Sequence, residues 1–357
     1  HTEFSGQIVA TKDYTGTGIN DNHGHGTHVL GTIIAKKDNS GMHGVALDSK
    51  LVGANVDYSG NGRISKSKAQ VALHDFAKLK DPNGENLNIV AVNMSWNTPT
   101  LFTDGNGSTV TQLADGTYNA SEITSKMDNG DGNAKYYKVA TDNDIILVNS
   151  AGNYGFNHSG DPGIWAVEVD ASGNLILGGK MIIVGNWDNG TIAGNKAGHV
   201  CLDISNNACN DQYKVSDFYI LAPGNLINSS VPTHLGGNGY MNMSGTSMAA
   251  PHVTGAFGVI NQMWPHMKGD SLVKLLLNTA DKDLKDGNNN LVYDVNIHGQ
   301  GLLDLNEATK PQGAVGLNLT GRTNGPIIGV QGTYFATGTA LPSNLKNLNI
   351  YIDLMML

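Results

Sequence analysis

Charge, cysteine and long apolar runs are all scarce in this sequence, and each shortage excludes something. Charged residues are 15% of the 357, against roughly 25% in an average soluble domain. With 22 basic and 31 acidic residues the net charge is −9, so the basic footprint that nucleic acid requires is missing. No apolar run approaches the ~18 residues of a membrane-spanning helix. No secretory leader is visible, but His1 does not look like a native start, so that shortage is silent about compartment. Only two cysteines occur, Cys201 and Cys209, eight positions apart. A disulfide pinching a surface loop is the preferred reading and implies an oxidising compartment. Two buried free thiols are the alternative, and a zinc site through His199 and both cysteines is short of a ligand.

Glycine is abundant instead, 46 residues or about 13% of the chain, against a usual ~7%. The chain is therefore turn-rich and globular, long enough for one large core plus an appendage.

The most informative stretch is Gly245-Thr246-Ser247-Met248-Ala249-Ala250-Pro251-His252-Val253-Thr254-Gly255. Gly245 and Thr246 make a turn, and Ser247 opens a helix whose small and apolar residues continue to Met263. A serine there sits among unpaired first-turn N–H groups at the positive end of the helix dipole, where a developing anion is favoured. Pro251 is tolerated only near a helix start, which places that start within about one turn of Ser247. Read alone, Ser247 is a helix cap.

Two further strings change that reading. Asn22-His23-Gly24-His25-Gly26-Thr27-His28-Val29 supplies histidine, the side chain suited to take a serine proton near neutral pH. No carboxylate or cysteine repeats around it at metal-ligand spacing, so no metal is assigned there. Ala151-Gly152-Asn153 follows an apolar run that reads as a buried strand. Together, in the order His, Asn, Ser, these strings resemble the signatures of the subtilisin-like serine peptidases. The resemblance implies that His25 is the general base, Ser247 the nucleophile and Asn153 an oxyanion-binding side chain. His28 and His252 are then packing or hydrogen-bonding residues and His23 a loop residue. The order His before Ser, with Gly-Thr-Ser-Met at the nucleophile, excludes the α/β-hydrolase pattern.

By the same resemblance, Ser95-Trp96-Asn97 is the strand that pairs with extended substrate, Asp57-Tyr58-Ser59-Gly60 the facing strand, and Ala151 and Gly152 line the site. An extended peptide or protein substrate would lie between them as an added strand. Asn97 replaces a glycine common in the family, which puts the size of the first specificity pocket in question. His1 to Val9 resembles the segment that follows the family's first strand, so the triad aspartate is expected a few residues upstream of His1. Asp13 and Asp21, both read as lying in the loop before the His motif, are the available substitutes. An N-terminal prodomain and a C-terminal membrane-anchoring region in the parent protein would suit a secreted or bacterial cell-surface member. The rival reading is a catalytically inactive fragment or binding scaffold.

The remaining pattern alternates helices and apolar strands: helices over 25–35, 65–80 and 271–279, and strands within 44–56, 89–94, 145–148, 181–184, 218–221 and 301–305. It predicts an α/β fold, three-layered and doubly wound, with a mostly parallel sheet and helices on both faces. Residues 1–310 form the peptidase domain, and 311–357 a Gly/Thr/Asn-rich tail or linker. Residues 98–138 read as a polar surface insertion. No cofactor is required; the Asp-rich turns at 128–133 and 281–286 are candidates for structural Ca²⁺, left unassigned.

Overall fold

The computed structural model describes residues 1–39, 41–58, 62, 64–80, 83–84, 87–97, 134–155, 159–160, 162–188, 190–197 and 213–310, and strands at 314–318, 327–329 and 350–353. Ser59, Gly60, the 128–133 turn, Cys201 and Cys209 lie outside the described residues. Contacts divide the chain into two units, His1–Glu307 and Ala308–Leu357.

The first unit is built on parallel strands. β1 (Ile8–Asp13) pairs with β2 (Leu51–Asn55), and β3 (Ala91–Met94) pairs with β4 (Ile146–Ser150). β5 (Met181–Asp188) lies between β4 and β7 (Tyr219–Pro223), parallel to both, while β6 (Thr191–Ile192) returns antiparallel on β5. β4 is buried along its whole length, as is β5 up to Asn186. Strands covered on both faces read as continuous apolar runs, as Ile145 to Val148 and Met181 to Val184 do. The sheet is in two pieces, however. β2 and β3 each have one edge paired with no described strand, and β2 is only half-buried throughout.

Among the described residues five helices are longer than a single turn: α1 (His25–Ile34), α2 (Lys66–Phe76), α3 (Lys138–Asp142), α4 (Thr246–Met263) and α5 (Gly269–Asn278). α4 is buried along most of its length and packs on β3, β4, β5 and β7 as well as on α1. Met248, the residue after Ser247, shares a core cluster with Val29, Ile33 and Ile34 of α1 and with Phe4. Apolar burial of this kind, at roughly 25 cal/mol per Å², locks the two helices that carry the motifs. A hairpin, β8 (Ile227–Ser230) with β9 (Tyr240–Met243), leads into α4.

Two expectations fail locally. Residues 301–305 form no strand: Leu302 alone bridges to Leu221 and to Asp281, and the chain then turns into the short helix Leu305–Ala308. Asp304 explains the change, because its carboxylate accepts the Glu307 N–H and caps that helix. Asp13 is not a loop residue but the last residue of β1.

In the second unit, Ala314–Asn318 is the middle strand of an antiparallel sheet, flanked by Ile327–Gly329 and Ile350–Asp353. Among the described residues no helix is long and apolar enough to cross a membrane.

Candidate active site

Ser247 occupies the second position of α4, whose cap is Gly245 at φ +147°. Glycine is needed there, since a Cβ would come within 3.2–3.5 Å of the Asn153 amide. Pro251 lies four residues after Ser247 and has no N–H to give to the Ser247 carbonyl. Ser95 supplies the missing donor: its hydroxyl donates to Ser247 O at 2.9 Å. In return Ser247 Oγ donates to the Ser95 carbonyl at 3.2 Å. Ser95 Oγ also accepts from Asn93 Nδ2, and Asn93 Oδ1 accepts from Thr254 Oγ1 two turns along α4. The segment that follows β3 and the serine turn are thus joined by one hydrogen-bonded chain.

His25 begins α1. Gly24 before it takes φ +84°, where a side chain would also collide with Leu235. Asp21 caps this helix, accepting the N–H groups of His23, Gly24 and Thr27 and the Thr27 hydroxyl. Those bonds hold the Asp21 carboxyl below its ordinary range despite burial. Asp13 is held down to about 2 by the N–H groups of Thr15 and Gly18. Both carboxylates are committed to backbone, and among the described residues none hydrogen-bonds the His25 ring. Burial, then the neighbouring His23 and His28, press the His25 pKa down to about 4, and the Asp21 charge opposes them only in part. His28 Nε2 donates between the Ile227 and Met241 carbonyls, and His252 Nδ1 donates to Met248 O.

Asn153 is exposed beside the serine turn. Its Oδ1 accepts both the Thr246 N–H (2.9 Å) and the Thr246 hydroxyl (3.0 Å). This fixes the flip of the amide, so Nδ2 remains a donor on the Gly245 side. Gly152, at φ +109°, donates its N–H to Thr246 Oγ1. The Ala151–Asn153 turn and the Thr246–Ser247 turn are therefore one rigid unit, with the Ser247 N–H among the first-turn donors that lack helical acceptors.

Ser95, Trp96 and Asn97 continue β3, with Asn149 Nδ2 donating to the carbonyls of Met94 and Trp96. Asn97 Nδ2 lies 3.1 Å from the position a Cβ on Gly152 would take, so its side chain fills space between the two segments. Across from them, Asp57 bridges to Ile64 and Tyr58 is exposed. In the 281–286 turn, Asp281 and Asp286 accept backbone N–H groups. Among the described residues no group of three His, Cys, Asp or Glu gathers at metal-binding distance.

Sequence reasoning missed Asn195, which is fully buried and grips the Asn153 turn. A signal for it was present: Ala193-Gly194-Asn195 repeats the tripeptide Ala151-Gly152-Asn153.

Residues 2–301 match the profile of the Subtilase family. An extracellular serine protease of Serratia marcescens is 26% identical over 78% of this chain and 28% of its own length. An alkaline protease of Alkalihalobacillus alcalophilus is 26% identical over 81% of this chain and 56% of its own. Subtilisin Savinase of Lederbergia lenta is 26% identical over 81% and 79%. The chain thus spans little more than a quarter of the first relative and just over half of the second. Among solved structures, the prenylagaramide maturation protease PagA aligns at TM-score 0.56 and 19% identity, covering 87% of this chain and 88% of that one. A mutant protease domain of PatA aligns at 0.53 and 20%, covering 86% and 88%. These two share the fold.

Proposed function

The chain belongs to the subtilase family, and from that premise we propose that it carries the nucleophile, base and oxyanion site of a secreted serine endopeptidase. Ser247 attacks the scissile carbonyl, and His25 takes its proton and passes it to the leaving amine. Asn153 Nδ2 and the Ser247 N–H receive the oxyanion. The observation that carries this reading is the pair of hydrogen bonds that Thr246 donates, from its N–H and its hydroxyl, to Asn153 Oδ1, which aims a preorganised donor beside a serine at a helix N-terminus. In a subtilisin, loss of the corresponding asparagine costs on the order of 10²–10³ in rate, a value taken from that relative.

The third triad member is assigned to an aspartate preceding His1, because Asp13 and Asp21 are committed to backbone N–H groups. An extended peptide lies between residues 95–97 and 57–60. With Asn97 filling space beside Gly152, small side chains are preferred at the residue before the cleaved bond. Secretion follows the relative named extracellular, and no cofactor takes part.

The rival reading, a binding scaffold without catalysis, is favoured by the His25 ring's lack of a carboxylate partner among the described residues. Active-site labelling separates them. The longest natural form of the chain, treated with a fluorophosphonate, is expected to be labelled at Ser247 and to hydrolyse peptides, and Ser247→Ala to do neither. A folded, unlabelled wild type would establish the scaffold.

A further inference from the structure

We propose that Asn195 is the positioning residue of the oxyanion site, holding Asn153 in place by clamping the turn 151–154 from both ends. This rests on the reading of Asn153 above and adds to it a residue that touches no substrate.

Asn195 follows β6 and is fully buried. Its Nδ2 donates to the Ala151 carbonyl at 3.0 Å and its Oδ1 accepts the Tyr154 N–H at 3.0 Å. Its own backbone N–H donates to the Gly152 carbonyl at 2.8 Å. Three bonds from one residue therefore meet the residues on either side of Asn153 and leave the Asn153 side chain itself untouched. The fit is tight. A Cβ on Gly152 would lie 2.4 Å from Asn195 Nδ2, and one on Gly194 would lie 2.6 Å from the Gly152 carbonyl. Both glycines take positive φ, +109° and +124°, so the two turns approach as closely as glycine backbones allow. Asn195 is anchored in turn by the buried Tyr219, whose hydroxyl donates to the Asn195 carbonyl at 2.8 Å. Gly185 makes room for that hydroxyl, which sits where its Cβ would be.

A donor contributes to oxyanion stabilisation only if it is aimed before the charge develops, and small misplacements are costly. Thr246 fixes the flip of the Asn153 amide, and Asn195 fixes the backbone that carries it.

The test uses the longest natural form of the chain. Asn195→Ala is expected to lower kcat by about 10- to 100-fold, with KM moving far less. In an Asn153→Ala background the same substitution should add almost nothing, because the group it positions is already gone. Asn195→Asp keeps the size and the acceptor for Tyr154, which guards against a cavity effect, but sets a buried carboxylate oxygen against the Ala151 carbonyl; it should be at least as slow as Asn195→Ala. Hydrogen exchange over residues 151–155 gives a reading independent of turnover: it should quicken in both variants while β5 stays protected. Equal kcat in wild type and Asn195→Ala, additive losses in the double variant, or unchanged exchange at 151–155 would each overturn the assignment. The underlying peptidase reading fails separately, if Ser247→Ala retains activity.

Discussion

His25 is a base whose surroundings resist its charge. Folding lowers its pKa from 6.5 to about 4, so between those values the unfolded chain takes up a proton that the folded chain refuses. Stability from this source is complete above about pH 6.5 and drains away as pH falls toward 4. His28 and His252 are shifted in the same direction by burial and steepen the slope. Asp13, lowered from 3.8 to about 2, acts in a lower window, below pH 3.8. The melting temperature should accordingly drop between about pH 7 and about pH 5, and His25→Gln, which cannot take the proton, should flatten part of that drop. An identical slope in the variant would place the histidine in a solvated environment. At this scale the sequence exposes what lies in one string. Ser247, His25 and Asn153 each sit among neighbours that constrain them, so a few adjacent letters suffice to nominate them. Asn195, Asn93 and Thr254 act across tens of residues, on partners no local pattern names.

Helix α4 shows how an element can be legible in outline and opaque in detail. Its glycine start, apolar run and early proline are all visible in the sequence, and it spans Thr246–Met263 as that pattern requires. Less visible is what Pro251 leaves behind, the Ser247 carbonyl satisfied from outside the helix by Ser95. Ser95→Ala should therefore cost about 1–3 kcal/mol, the penalty for an orphaned partly buried acceptor, and Ser95→Thr, which keeps the hydroxyl, much less. Urea melts of the two variants check this, and equal midpoints would mean that water replaces Ser95 there. The strands divide the same way. β4, β5 and β7 announce themselves as apolar runs because both faces are covered. Neither β1 nor the capping of Leu305–Ala308 has such a signature: β1 is mostly exposed, and Asp304 turns a strand-like run into a helix.

Among the described residues of the first unit the parallel strands fall into two pieces, β1 with β2 and β3-β4-β5-β7, and β2 and β3 each keep an edge that no described strand pairs. Half-burial runs along β2 and most of β3, beside the complete burial of β4. Under the proposed function, a strand carrying the triad aspartate would pair one of these edges and give the His25 ring a carboxylate. Supplying it should raise the His25 pKa, because a carboxylate favours the imidazolium. It should also pair backbone groups that cost about 1–3 kcal/mol each when buried and unsatisfied, a large sum against a total stability of ~5–15 kcal/mol. Expressed with and without the preceding coding segment, residues 1–357 should differ in both respects. The longer form should melt cooperatively and hydrolyse peptides, and the shorter should melt broadly and work slower by on the order of 10⁴, the loss seen in related triads without their aspartate. Equal activity in the two forms would mean that a carboxylate inside this sequence serves His25. Asp21, whose charge already acts on that ring, would then be the first to replace, with Asp21→Asn removing the charge while its one amide oxygen keeps the bonds from Thr27 and gives up those from His23 and Gly24.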